Sequence, residues 1–491
     1  MIDFLNKLDG WVWGTPLIVL AMILGAYFMI LGKFFPLVNF GHILKNTILA
    51  KSDESAKSGD GKISPYRAFC LAVGGAVGMG NISGVATAIA VGGPGAIFWM
   101  WVWAFFGMMV KTVETSLGLY YRRKGPDGKY SGSAMDYMER GIQGELGLKF
   151  GKPLAILFAI SLFLMVVQGS GAYTVGETLN ASFGLNIMVV VSVYVLFVIY
   201  LLIRGENTIG KMAEKLVPIM CVIYLLGTLV ILVLNAPSLP GMFAGIFKGA
   251  FTGTAAVGGF AGSAVALAIR QGVSRSVYSN EAGNGTSPLI HGSADTIHPV
   301  RQGLWGAVEV FCDTIIVCTC SGLAILATGT WTSGTKGAAL GVLAFTSAFG
   351  SFGKYFLGIM TLLFAFTTST TWYLFYQNIL AYLLKKWPNV QKVVHKIFAV
   401  AFPLIMLGNA ALVYYTESDA ALFWTIVSIT TAFPLWFNGI ALFALRKKFW
   451  ALLNDYKARY MGIGQVDPNF HVFAEDDPEV MEKINKNLGH S

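Results

Sequence analysis

Two stretches of this 491-residue chain place oxygen donors in the middle of apolar sequence. In Phe364-Ala-Phe-Thr-Thr-Ser-Thr-Thr-Trp372, Ala365, Thr368, Ser369 and Trp372 are spaced by 3, 4 and 7 positions and share one helix face. Two hydroxyls and a carbonyl freed by local hydroxyl competition make a hard-oxygen set, suited to Na+ rather than to a soft metal. In Ala72-Val-Gly-Gly-Ala-Val-Gly-Met-Gly-Asn-Ile-Ser-Gly84, five glycines fall within thirteen residues. Glycine costs about 1 kcal/mol per helical residue relative to alanine, so this stretch unwinds readily. In lipid, unwound backbone survives only where it lines a protein cavity. The free carbonyls of the break can then hold a cation, and the half-helix that follows presents N–H groups to an anion such as a carboxylate. Mid-membrane hydroxyls also bond back to their own helix, and glycines also form packing faces. The carbonyl-rich break paired with the hydroxyl cluster tips the reading towards a site.

A second interrupted stretch, Thr252-Gly-Thr-Ala-Ala-Val-Gly-Gly-Phe-Ala-Gly262, centres on Gly258, Gly259 and Phe260. It repeats the tetrapeptide Ala-Val-Gly-Gly of 72–75 at 256–259. Gln168 is the remaining strong polar group at depth, open to a substrate or to a neighbouring helix. Glu309 and Asp313 share a face in another apolar run, and Lys111 and Glu114 lie one turn apart and can pair. These four read first as structural or gating charges, with a proton relay as the lesser alternative.

These residues are carried by long apolar segments. The chain is 55% hydrophobic and only 12% charged, about half the charge of a soluble domain. Such a composition excludes disorder and leaves too few polar side chains to cover a water-soluble enzyme. A span needs about 20 apolar residues. Runs of that kind occur at 11–32, 153–176, 186–203, 216–234, 249–269, 303–328, 355–384, 397–415 and 420–445. The run 68–110 is broken by Gly92-Gly-Pro-Gly95 and reads as a hairpin of two helices. The expectation is an all-α polytopic membrane protein with eleven transmembrane helices.

Thirty of the 35 Lys and Arg residues fall in alternate loops and the tail, which places the N-terminus outside and the C-terminus in the cytoplasm. The net charge of +9 is thereby explained as topology, and nucleic acid is not expected as a partner. The first apolar run lacks a basic leader and a small-residue cleavage site, so it reads as a retained helix. All five cysteines lie in apolar runs and read as core packing. No P-loop, HExxH or Asp-rich motif is present, so neither enzyme chemistry nor a cofactor is expected. Without the first helix, each glycine-broken segment opens a block of five spans. Five is odd, so the blocks are inverted, and paired breaks in inverted halves mark a transporter site at the midplane.

Gly92-Gly-Pro-Gly-Ala-Ile-Phe-Trp-Met-Trp-Val-Trp-Ala-Phe-Phe-Gly107 closely resembles the signature of the sodium:alanine (alanine/glycine:cation) symporter family, and Arg275-Ser-Val-Tyr-Ser-Asn-Glu-Ala-Gly283 resembles its cytoplasmic motif. The resemblance runs over roughly residues 10–450. It implies the inverted-repeat fold of the bacterial leucine transporter, a 5+5 repeat with one extra N-terminal helix. On that basis the chain divides into 1–63 (extra helix and loop), 64–235 and 236–446 (the two repeats), and a polar tail at 447–491. The resemblance also implies a Na+ site from the backbones of Gly74 and Val77 with Ala365, Thr368 and Ser369. The amino-acid carboxylate would meet Gly78, Gly80 and Asn81, with Thr368 beside it. Gln168, Trp372, Gly258, Gly259 and Phe260 would close the pocket. Gly75 stands where leucine transporters often have Asn, and their second-sodium pattern of Ser and Asn is missing from the second break, which argues against more than one Na+.

The expected function is Na+-coupled symport of a small neutral amino acid, alanine or glycine, into the cell across the plasma membrane by alternating access. A monomer in the lipid bilayer is the expected form. A proton-coupled transporter using Glu309 and Asp313 is the alternative, and a channel or sensor is the more distant one.

Overall fold

The computed structural model describes residues 2–50, 62–125, 128–252, 261–415 and 420–489. Helices dominate. Among the described residues the sheet content is one short ribbon, Arg123–Lys124 antiparallel to Tyr130–Ser131.

Eight helices are long and apolar enough to cross a bilayer, or nine if the bent pair Pro65–Ala76 and Gly80–Gly92 is one span. Two expected spans are not among these. The run at 186–203 is an apolar helix of 17 residues, Ile187–Ile203, at the lower limit of the length that crosses a bilayer. The run at 249–269 crosses 253–260, outside the described residues. An apolar helix that sequence reading treated as loop, Gly337–Phe349, packs beside the site helix Ser351–Leu383. The helix expected from residue 397 begins at Pro388, so His395 lies on it rather than outside the spans.

The helices pack by backbone approach where glycines allow it. A Cβ on Gly303 of Pro299–Val310 would stand 2.3 Å from the Ser116 hydroxyl of Gly95–Tyr120. Away from the interior, Val193, Leu196, Leu226 and Val233 are exposed apolar side chains, as lipid-facing surfaces require.

The polar tail is docked. Phe449, Leu452, Leu453 and Tyr456 of Arg446–Met461 are buried, as are Val480 and Ile484 of Pro478–Leu488. Val480 and Ile484 are four residues apart and present one apolar face, which packs on the π-helical turn Tyr137–Glu145. His298 at the start of Pro299–Val310 hydrogen-bonds Asp455 at 3.2 Å, tying the tail to the membrane helices.

Candidate functional site

Ser64 caps the helix Pro65–Ala76 by accepting from the Arg67 N–H, and Pro65 pre-sets its first turn. The helix stops at Val77, whose ψ of 97° is extended. The chain resumes as the π-helical turn Gly80–Gly84 and then Val85–Gly92, bent by 48° from the first half. Asn81 braces this break. Its carbonyl oxygen accepts from the Gly78 N–H at 2.7 Å, and its amide donates to Asp313 Oδ1 at 2.7 Å. Asp313 also accepts from Ser279 and Thr314, at 2.8 and 2.7 Å.

Ser351–Leu383 brings five consecutive hydroxyls to this break, and they divide by face. Thr367 and Thr370 bond back to the carbonyls of Phe364 and Phe366 in their own helix. Thr368 and Thr371, three apart, reach across instead. Thr368 donates towards the carbonyls of Gly74 at 3.3 Å and Val77 at 3.2 Å, and Thr371 donates to Leu71 at 3.1 Å. Ser369 is turned to a different neighbour, Tyr194 Oη, at 2.8 Å. Ala365 is fully buried one turn before Thr368. Gly74, Val77 and Thr368 are therefore together, while the Ser369 hydroxyl is engaged by the Ile187–Ile203 helix.

A small cavity of about 20 Å³ adjoins this meeting point. Gly78, Gly80, Gln168, Thr368 and Trp372 line it, and Asn81 does not. Gln168 sits on a third irregular segment, the 3-10 turn Met165–Gly171 inside the span Gly151–Phe183, and donates to the Thr430 hydroxyl at 2.8 Å. A Cβ on Gly171 would meet Met79 at 2.3 Å, so this turn and the first break fit only with glycine between them. Gly258, Gly259 and Phe260 lie outside the described residues.

Sequence reading missed Tyr278 and Glu281, which also line the cavity. Tyr278 stands over Gly80, where a Cβ would meet its ring at 3.0 Å. Glu281 follows the end of Ala261–Asn280 with φ +57°, a left-handed conformation that glycine usually fills. Its carboxylate accepts from Thr286 at 2.6 Å. The available signal was a lone acidic residue inside Asn280-Glu-Ala-Gly283, where the chain otherwise carries small residues.

Lys111 does not pair with Glu114. Its ammonium lies 2.8 Å from Glu309, and both side chains are wholly buried. Glu114 instead accepts from the Gly285 N–H at 3.1 Å and the Asn438 amide at 3.0 Å. The one-turn spacing within a helix permitted the local pair, but the close approach at Gly303 and Gly306 delivers a better-placed carboxylate from the next helix. Among the described residues no group of three or more His, Cys, Asp or Glu could hold a metal, so a cation here would rest on carbonyls and hydroxyls.

Known proteins similar to this chain identify its family. Residues 1–470 match the sequence pattern of the sodium:alanine symporter family. The chain is 34% identical to the putative sodium/proton-dependent alanine carrier protein YrbD of Bacillus subtilis, over 93% of each chain. It is also 34% identical to the sodium/alanine symporter AgcS of Methanococcus maripaludis, over 78% of this chain and 84% of that one. In fold it is similar to MhsT, solved in complex with L-phenylalanine, with a TM-score of 0.54 at 14% identity over 88% of this chain and 96% of that one. The match over residues 1–470 and the relatives at 34% identity place the chain in the sodium:alanine symporter family, whose members are transporters and not enzymes.

Proposed function

We propose that this protein couples Na+ to the uptake of a small neutral amino acid, alanine or glycine, by alternating access across the plasma membrane. The observation that carries the reading is the Thr368 hydroxyl set against the carbonyls of Gly74 and Val77, beside the cavity. In the proposed site, Na+ draws on the carbonyls of Gly74, Val77 and Ala365 and the hydroxyls of Thr368 and Ser369, with Ser369 exchanging Tyr194 for the ion. The backbone at Gly78 and Gly80 faces the substrate carboxylate. Gln168 and Trp372 close around its side chain together with Gly258, Gly259 and Phe260. Asn81 is better assigned to holding the break open than to touching substrate, because both ends of its amide are committed.

The small cavity suits an occluded form, and Met79 and Met165 in its wall are flexible enough to yield to a ligand. A switch between outward and inward states needs a ligand with different affinity for the two. Na+ bound across the break and the hydroxyl helix supplies that difference, and the membrane potential adds about 2.3 kcal/mol per charge per 100 mV. The proposal keeps eleven spans in a 5+5 inverted repeat, with the C-terminus in the cytoplasm and the loop charges as its support. The test is alanine accumulation in proteoliposomes under an imposed Na+ gradient. Equal uptake with choline in place of Na+ would remove the reading.

A proton-coupled reading is favoured by one observation, the Glu281 carboxylate on the cavity wall. Glu309 is tied to Lys111 and Asp313 already accepts three hydrogen bonds, so neither fits the role as well. Uptake that persists without Na+ and collapses with a protonophore would establish it.

A further inference from the structure

A second cavity, of about 350 Å³, shares no lining residue with the first and lies between residues 122–124, residues 136–140, Lys385 just past Ser351–Leu383, and the tail helix Pro478–Leu488. Five cations and three carboxylates line it. The carboxylates are each taken by one cation: Asp136 by Arg123 at 3.0 Å, Glu475 by Arg122 at 3.0 Å and Glu139 by Lys385 at 2.5 Å. Lys124 and Arg140 remain in excess.

Arg122 is the built element of this cleft. Its side chain is 5% exposed, and its guanidinium lies 3.9 Å from the centre of the Phe473 ring and 4.6 Å from that of Tyr130. These ring contacts hold the guanidinium in place, and its hydrogen bonds are made along its edges. Nε meets Glu475, whereas Nη1 is buried with no partner among the described residues. A buried guanidinium donor without an acceptor is costly unless a ligand supplies one.

We propose that this cleft binds a phosphate-class anion, with Arg122 Nη1 and the Lys124 ammonium as donors. Arginine edges fit phosphoryl oxygens closely, and a cleft with two surplus positive charges favours such a group over a neutral one. The source of the phosphoryl group is either free phosphate or the headgroup of an anionic lipid reaching in from the bilayer. Arg122 is fixed by the tail through both Glu475 and Phe473, so the ligand would also strengthen tail docking. The inference does not depend on the proposed substrate.

The experiment uses the full chain. In detergent, the unfolding midpoint is titrated with inorganic phosphate against chloride at matched ionic strength. In parallel, the protein is placed in vesicles of phosphatidylcholine with increasing phosphatidylglycerol. A saturable rise with phosphate identifies the free ion as sufficient, and a rise only with phosphatidylglycerol identifies the headgroup. In either arm Arg122→Gln and Lys124→Gln should weaken the response roughly tenfold, the effect of losing one charge-assisted hydrogen bond. Lys124 is exposed, so its variant tests the site even where the Arg122 variant folds poorly. Glu475→Gln should tighten binding by removing the competing carboxylate, whereas a merely structural cluster would lose stability and gain no affinity. The proposal is overturned if neither anion gives a saturable effect, or if wild type and all three variants respond alike.

Discussion

A methyl group on Gly78 would stand 2.2 Å from the Thr368 hydroxyl oxygen. The proposed ion site therefore exists only because this position has no side chain. Gly78→Ala should abolish Na+-driven uptake while the protein still reaches the membrane. Gly245→Ala is the matched control, since nothing lies within 4 Å of a Cβ there. Uptake retained by Gly78→Ala would show that the close approach is not part of transport.

Thr368→Val keeps the shape of the side chain and removes its hydroxyl. A hydrogen bond or ligand contact to a charged group is worth about 1.5–3 kcal/mol, so half-maximal uptake should need roughly tenfold more Na+. Thr367→Val removes a hydroxyl that bonds back to Phe364 and should leave the Na+ dependence unchanged. Ser369→Ala should also raise the Na+ requirement. If it does not, Ser369 belongs to the Tyr194 contact alone, and Tyr194→Phe would match it in effect.

Lys111→Met leaves Glu309 buried without its cation. Removing one partner of a buried pair costs about 3–5 kcal/mol, enough to lower folded yield and the unfolding midpoint sharply. Lys111→Met with Glu309→Leu should recover much of that loss, because the carboxylate that the ammonium pairs with is removed together with it. A double variant no more stable than the single one would count against the pair as the cause. Thermal unfolding of the purified chain provides the measurement.

Acid should loosen the tail. Burial pushes the His298 imidazole below its ordinary 6.5, with Asp455 pulling the other way. Its Nδ1 already accepts the Val300 N–H at 3.0 Å and its Nε2 meets Asp455, so a second proton would break the helix cap. A group that binds its proton more weakly when folded stabilises the fold above its unfolded value and loses that contribution as pH falls. Burial raises Glu139, but the Lys385 and Tyr382 hydrogen bonds outweigh it and hold the carboxyl below its ordinary 4.5, so its share is lost in stronger acid. Proteolysis within 446–488 should therefore accelerate between about pH 7 and pH 5.5, the range in which a free imidazole charges. His298→Gln should flatten that first step.

The long helices were legible because apolar run length alone demands them, and the first break because glycine density contradicts a continuous helix. Thr368 was legible through face spacing, which also separates it from Thr367 and Thr370. Spacing could not tell that Ser369 turns to Tyr194, since that partner comes from a helix 175 positions away. The same holds for Lys111, where local spacing offers Glu114 and tertiary packing selects Glu309. Glu281 was hidden because its role depends on a backbone angle that no composition reveals. The tail helix could have been read from Val480 and Ile484, a short apolar face in an otherwise polar segment.

One rod carries both the hydroxyls of the break and the grip on the far end of the molecule. Tyr382, fourteen positions beyond Thr368 on Ser351–Leu383, donates to Glu139, as Lys385 does just past the helix end. At about 1.5 Å per residue, the two ends of this lever are some 21 Å apart. In the proposed transport cycle, any change in tilt of this helix at Thr368 would be carried to its contacts with Glu139. The tail, seated on the same Tyr137–Glu145 turn, is thereby joined mechanically to the helix that carries Thr368.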